Sequence, residues 1–299
     1  MRVFALSDLH VDYPQNMRWV KNLSATDFRQ DTILLAGDLT HEVKRLQETF
    51  DLFLARFAQV FFVPGNHELW LLKSSSQDSL AKFEEIRRLC GAMGVLTQPM
   101  RLSGTASVWI VPLFSWYTRP EEGDDSLFVD KPGEDASLST WSDNYFVRWP
   151  GLGGQNPSQY FLQLNQNRVA REYDAPVISL SHFLPRTDLI FANKDELSGG
   201  VRMVDRNPSF NFSRVAGSLA LDEQIRALGS RIHVYGHQHR NRYRLTEGVL
   251  YVSQCLGYHQ EREMGHIRYI DQGPRVIWDT DLPGGNSDLP AMSAVGSRE

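Results

Sequence analysis

Five short stretches carry residue types that can hold a metal ion, and each follows an apolar run. "SDLH" supplies Asp8 and His10, two apart. In extended chain such residues point to the same side, roughly 6.6 Å apart at the backbone, so a carboxylate and an imidazole can lean onto one ion. "AGDLT" supplies Asp38, "PGNHE" supplies Asn66, His67 and Glu68, "LSHF" supplies His182, and "YGHQH" supplies His237 and His239, again two apart. Gly37, Gly65 and Gly236 stand just before their polar neighbours. Glycine there permits a sharp exit from a strand or close backbone packing near an ion. With His67 set aside, the donors are two Asp, one Asn and four His. That mixed nitrogen and oxygen set suits Mn, Fe, Zn, Ni or Co better than Ca or Mg. It is too large for one transition metal. Shared between two ions about 3.5–4 Å apart, with one carboxylate bridging, it fits a binuclear hydrolase.

Donors spread over more than two hundred positions need a scaffold that gathers them. Short runs rich in Val, Ile and Phe recur at Val3–Leu6, Ile33–Ala36, Val60–Val63, Val108–Leu113, Val177–Leu180, Ile232–Tyr235, Val249–Val252, Ile267–Ile270 and Val276–Trp278. Each is near strand length, and continuous apolar character predicts strands covered on both faces. Helical spacing lies between them. Val43, Leu46, Phe50, Leu54 and Phe57 fall on one face, with Thr40 expected as the N-cap. Residues 79–90, 159–171 and 218–228 also read as helices, the last stopped by Gly229. Strands alternating with helices define an α/β layered fold, in which ligands collect at the carboxyl ends of the strands.

The chain has 299 residues, 41% apolar and 22% charged, with a formal net charge of -5. One domain over residues 1–280 with a flexible tail over 281–299 is expected. No strongly basic balance points to a nucleic-acid partner. Cys90 and Cys255 are expected to be buried reduced thiols. No stretch reaches the roughly 18 apolar residues of a membrane span, and a cytoplasmic protein is expected. Two insertions interrupt the rhythm. Residues 114–158 interleave Gly, Pro and acidic residues with Trp116, Tyr117, Trp141, Tyr145 and Trp149. They are expected to form a lid or pocket wall, with Trp116 and Trp141 as a stacking surface for a ring. The polar stretch 185–216 carries Arg202, Arg206 and Arg214, which could clamp a substrate phosphate.

Taken together, "SDLH", "AGDLT", "PGNHE", "LSHF" and "YGHQH" resemble the motif set of the calcineurin-like metallophosphoesterase superfamily, from Asp8 to His239. The resemblance implies a four-layer α-β-β-α sandwich with two facing mixed β-sheets and a di-metal site at the C-terminal edge of the strands. It implies that Asp8, His10 and His239 hold one ion, that Asn66, His182 and His237 hold the other, and that Asp38 bridges them. His67 would face the substrate. Protein Ser/Thr phosphatases of the superfamily carry G-D-x-x-D-R-G, whereas this chain has Gly37-Asp38-Leu39-Thr40-His41-Glu42-Val43. It is more similar to the small bacterial and plant-type phosphoesterases.

The expected activity is metal-dependent hydrolysis of a phosphate mono- or diester of a small molecule, with nucleotide-like compounds among the candidates. Two divalent ions bring four positive charges and the two Asp return two negative ones, so the site attracts a phosphate oxyanion. A water bridging the ions is acidified toward hydroxide and attacks phosphorus in line with the leaving oxygen. His67 is expected to protonate that oxygen. Glu68 is expected to orient a ligand by hydrogen bonding, and Asp12 either to do the same or to start a helix at Pro14. His41 is expected to be solvated and His233 to be packed in the core, while His259 could reach the pocket rim. Manganese is the ion expected to support activity in an assay. The alternatives are a phosphodiesterase on a nucleic-acid or lipid-headgroup substrate, a di-metal hydrolase of a non-phosphate bond, and a metal-binding scaffold without turnover.

Overall fold

The structure is a computed structural model that describes residues 1–72, 74–198, 207–265, 267 and 270–285. In chain order the strands are β1 (Arg2–Leu6), β2 (Thr32–Leu35), β3 (Gln59–Phe62), β4 (Met100–Leu102), β5 (Val108–Pro112), β6 (Val177–Leu180), β7 (Ser230–Tyr235), β8 (Arg242–Thr246), β9 (Val249–Ser253) and β10 (Arg275–Asp279). The helices are α1 (Pro14–Lys21), α2 (Val43–Leu54), α3 (Ser79–Met93), α4 (Asp143–Phe146), α5 (Pro157–Val169), α6 (Lys194–Ser198), α7 (Leu219–Ala227) and α8 (His259–Glu263).

The strands form two mixed sheets, ordered β10-β1-β2-β3 and β4-β5-β6-β7-β9-β8. Within the first, β1, β2 and β3 run parallel and β10 runs against them. Within the second, β5, β6, β7 and β9 are parallel, and the edges β4 and β8 are antiparallel. Pairing is nearly in step: Leu6 lies opposite Leu35, and Leu35 opposite Phe62. The loops that follow therefore leave at the same level.

Alternation along each strand sorts the core. Val3, Ala5, Leu34 and Phe61 face Ile110, Ile178, Ile232 and Val234 across the gap between the sheets. Phe4, Leu6, Ile33, Leu35, Val60 and Phe62 point the other way, against Val20 of α1, Leu46, Phe50 and Phe53 of α2, and Phe83 and Ile86 of α3. On the far face of the larger sheet, Val111, Val177 and Tyr251 pack against Leu221 and Ile225 of α7. Each buried side chain of this kind stabilises the fold by about 1.5–3 kcal/mol. The result is the helix–sheet–sheet–helix sandwich that the motif resemblance implied.

Some local expectations change. Thr40 does not cap α2; Glu42 holds that position, while the Thr40 hydroxyl donates to Asp12 Oδ1 at 2.7 Å and accepts from the Glu42 amide. Of the run Ile267–Ile270, Ile270 opens a short 3-10 turn, and residues 268 and 269 lie outside the described residues. Strand β8 escaped the sequence reading because its pattern is inverted: Arg242 and Arg244 are buried while Leu245 is exposed. Their guanidinium groups donate to carbonyls of Asp188, Leu189 and Phe191 and to Glu196. Cys90 and Cys255 are buried free thiols. No helix among the described residues is long and apolar enough to cross a membrane.

Candidate metal centre

Asp8 and His10 follow β1, Asp38 follows β2, Asn66 and His67 follow β3, His182 follows β6, and His237 and His239 follow β7. The backbone turns sharply at five of these residues. Asp8 (φ 52°), His10 (42°), Asp38 (56°), His237 (72°) and His239 (54°) all occupy the left-handed region. Each costs of order 1–3 kcal/mol for a residue with a side chain, and such strain persists only where the surroundings over-determine it. Here the loops lock one another. The Asp8 amide donates to Gly37 O at 2.9 Å and the His10 amide to Asp38 O at 3.0 Å. The His237 amide donates to Asp8 Oδ1 at 2.9 Å, and the His67 amide to Asp38 Oδ1 at 3.0 Å.

The side chains gather into two groups. Asp8, His10 and His239 place one ligand atom each within 4.8 Å of one another, as do Asp38, His182 and His237. His10 Nε2 and His239 Nε2 are 2.9 Å apart, and Asn66 Oδ1 lies 3.2 Å from His182 Nε2. Asp38 also groups with His10 and His67, so it stands between the two sets. The donor set and its spacing fit divalent metal ions. The glycines fit as well: a Cβ on Gly65 would lie 2.2 Å from Asp38 Oδ1 and 2.7 Å from His182 Nε2, and one on Gly236 would lie 2.7 Å from Asp8 Oδ2. These glycines keep the ligands free of backbone bulk.

Electrostatics divides the buried imidazoles. Burial and the neighbouring His182 push His237 down to about 3. Burial, His67 and His239 likewise keep His10 well below its ordinary value. A neutral imidazole is the form that ligates. Burial also disfavours charge on His182, but Asp38 and Asp8 outweigh it and raise the ring to about 9. His239 is raised well above its ordinary value, against burial, by Glu261 and Asp8. Burial works to raise Asp38, yet His182 and His67 hold it well below the usual carboxylate range. The carboxylates thus draw positive charge into the pocket.

A surrounding layer fixes these side chains. Glu68, 1% exposed, accepts from the amides of Asp38 (2.8 Å), Leu39 (2.6 Å), Thr40 (3.1 Å) and Gly65 (2.7 Å). It ties the turn after β2 to the turn after β3. Burial and Asp38 raise it to about 7. Asp12 orients Thr40, and His41 lies 3.4 Å from it, so His41 is packed and not solvated. Glu261 Oε2 sits 2.7 Å from His239 Nδ1 and also accepts from the Tyr258 amide at 2.8 Å. Tyr258 packs its ring on His10 with centroids 4.6 Å apart, and Trp70 stacks on His67 at 3.7 Å. Asp143 Oδ1 accepts from Asn66 Nδ2 at 2.9 Å and Trp70 Nε1 at 2.6 Å. Burial raises Asp143 to about 6, although the Asn66 and Trp70 donors oppose the rise. The sequence pattern did not single out Glu261, Tyr258, Trp70 or Asp143, because none of them directly follows an apolar run.

Several substrate candidates lie elsewhere. Trp116 is 2% exposed and packed among Tyr117, Trp149, Phe161 and Phe183, so it offers no face to a ligand. Trp141 stacks on Phe210 and meets His237 edge-on, which keeps it beside the site. Arg214 is committed to Glu134 at 2.6 Å and Glu122. His259 is half exposed and pairs with Glu263 at 3.1 Å. His233 is buried between Ser179 and Ser181, as expected. Arg202 and Arg206 lie outside the described residues.

Residues 1–241 match the calcineurin-like phosphoesterase family. The chain belongs to that family, a class of phosphoester hydrolases. It is similar to the acyl-carrier-protein phosphodiesterase PptH of Mycobacterium tuberculosis, 31% identical over 121 residues. The matched stretch spans 38% of this chain and only 37% of that relative. The crystal structure of phosphopantetheinyl hydrolase (PptH) from Mycobacterium tuberculosis superposes with a TM-score of 0.69 at 20% identity, covering 92% of this chain and 95% of that one. The protein TT1561 of Thermus thermophilus gives a TM-score of 0.42 at 12% identity, covering 85% of this chain and 89% of that one.

Proposed function

We propose that this chain hydrolyses a phosphate diester of a small molecule, or of a small-molecule group carried on a protein. The observation that carries the reading is the pair of ligand groups that meet at Asp38. Asp8, His10 and His239 would hold one divalent ion, Asn66, His182 and His237 the other, with Asp38 between them. Ions bound there supply positive charge that attracts a phosphate oxyanion and acidifies water near neutral pH. Glu68 and Glu261 hold the ligand side chains and their loops in place, so little reorganisation accompanies binding. His67 Nε2, 3.8 Å from Asp38 Oδ2, is the proton donor to the leaving oxygen, its ring held flat by Trp70.

Diester over monoester is supported by room for a second substituent. A cleft of about 300 Å³ is lined by Ile190, Phe191, Phe210, Phe212, Lys131 and Gln238, and the Phe212 ring lies 5.3 Å from that of His237. Its apolar walls suit a long substituent, while the Gln238 amide and the Lys131 ammonium are engaged by the carbonyls of Ile190 and Phe210, each at 2.6 Å. The relative's phosphodiesterase name agrees in reaction type. The test is Mn²⁺-dependent turnover of a bis-aryl diester, an aryl monoester and an acyl-carrier protein bearing a phosphopantetheinyl group. Asp38→Asn is expected to lose at least about 100-fold in kcat/KM, since it removes the central ligand charge. Equal rates in the variant reject the site, and a strong preference for the monoester rejects the diester reading.

A further inference from the structure

An asparagine can present oxygen or nitrogen to a cation, and only oxygen can ligate it. The two orientations differ by a half-turn of χ2 and have almost the same shape, so the hydrogen bonds around the amide decide between them. In this chain Asn66 Nδ2 donates to Asp143 Oδ1 at 2.9 Å, and Asn66 Oδ1 faces His182 Nε2 at 3.2 Å. The same carboxylate oxygen accepts the indole N–H of Trp70 at 2.6 Å. Trp70 in turn stacks on His67, with ring centroids 3.7 Å apart at 27°. Asp143 is 2% exposed, so no water competes freely for that oxygen. It is the first residue of α4, within the aromatic-rich insertion that separates β5 from β6.

We infer that Asp143 is a positioning residue, whose single carboxylate oxygen points the Asn66 carbonyl at the metal centre and levels Trp70 beneath His67. The insertion over residues 114–158 is then a brace that reaches back to the metal centre. The C-terminal end of α4 and the turn after it are anchored: the Leu71 amide donates to Phe146 O at 2.7 Å, and the Ser79 amide donates to Arg148 O at 3.0 Å. The Phe146 ring packs at 5.2 Å from that of Trp70. The loop after β3 is therefore clasped along its length, and Asp143 is the point at which the clasp touches a ligand.

The inference rests on the proposed metal centre, and the two fail separately. Mn²⁺ binding is measured by titration calorimetry, and by electron paramagnetic resonance of the free ion, on the full chain and on Asp143→Asn and Asp143→Leu. Two bound Mn²⁺ in the wild type support the centre; none rejects it and leaves Asp143 without the role. Asn keeps an acceptor oxygen for both donors and is expected to stay within threefold of wild-type affinity. Leu keeps the volume and removes the acceptor, and is expected to weaken one of the two ions by tenfold or more, in the range that outer hydrogen-bond partners of ligands control. Far-ultraviolet circular dichroism and a thermal melt report whether the Leu variant folds. If it does not, Asp143→Ser, too short to reach Asn66, takes its place with the same expectation. Two Mn²⁺ bound with wild-type affinity in a folded Leu or Ser variant overturn the inference. So does the failure of both to fold while the Asn variant folds, since the acceptor would then serve the fold alone.

Discussion

Identical side chains take opposite roles according to the carboxylates near them. His182 and His233 are both fully buried. His182 lies 3.4 Å from Asp38 Oδ2 and is raised to about 9. His233 meets two hydroxyls, Ser179 Oγ at 2.8 Å and Ser181 Oγ at 3.0 Å, and burial pushes it to about 3 despite the distant pull of Asp222. This difference sets a pH dependence. Folded His233 stays neutral down to about pH 3, whereas in the unfolded chain it protonates near pH 6.5. Between those values the unfolded state binds more protons, so stability falls as pH falls, by at most about 1.4 kcal/mol per pH unit from this group. His233→Asn removes the titrating ring. Urea unfolding of both proteins from pH 7 to pH 4 is expected to show the wild type losing stability faster than the variant. Parallel curves would show that His233 does not titrate in this window. The titrations of Asp8, Asp38 and the other imidazoles are common to both proteins and cancel in the difference.

At the level of elements, strand ends and glycines do the placing. Gly65 and Gly94 separate two uses of the same residue. Gly65 has ligand atoms where a side chain would be, and Gly94 caps α3 at φ 79° with open space around it. Gly65→Ala is expected to leave a folded protein whose Mn²⁺-dependent turnover drops by about 100-fold or more, because Asp38 and His182 must move. Gly94→Ala is expected to cost about 1 kcal/mol of stability and leave turnover unchanged. Urea melts and initial rates on the two variants check this, and the reverse pattern would mean that the turn after β3 adapts. The contrast also shows what was legible in the sequence. Asp8, Asp38, Asn66, His182 and His237 stand out as candidates because each follows a buried strand. The α/β layering was legible for a similar reason, since apolar runs of strand length alternate with helical spacing, whereas the order of the four layers came only with the motif resemblance. Asp143 and Glu261 were not, because their partners Asn66 and His239 are distant in sequence, 77 and 22 positions away. Edge strand β8 was missed because its buried face is arginine. Trp116 read as a stacking surface and is core, since an aromatic in a polar stretch signals burial as readily as binding.

For the whole molecule, the candidate centre lies where the two sheets meet. Asp8, Asp38 and Asn66 hang from the four-stranded sheet, and His182, His237 and His239 from the six-stranded one. Ions held by both sets would cross-link the sheets at the edge where the loops emerge. The sheets are expected not to depend on that link, because the apolar layer between them, from Val3 and Leu34 to Ile178 and Val234, is buried. The protein is therefore expected to stay folded after chelation, with unchanged far-ultraviolet circular dichroism. It is also expected to melt earlier. A ligand that binds only the native state stabilises by about 2.7 kcal/mol at a free concentration 100 times its Kd. For a chain of 299 residues that is a shift in Tm of roughly 4 °C. Melts of chelated and Mn²⁺-saturated protein, with Asp38→Asn as the control, measure it. The shift is expected in the wild type and should be largely lost in the variant, where the shared ligand has no charge. An equal shift in both proteins would place the stabilising ions away from Asp38. Loss of secondary structure on chelation would show that the layer between the sheets cannot hold the sandwich alone. The expected outcome, a folded apo protein that Mn²⁺ stiffens at one edge, assigns stability to the inter-sheet core and chemistry to the loops above it.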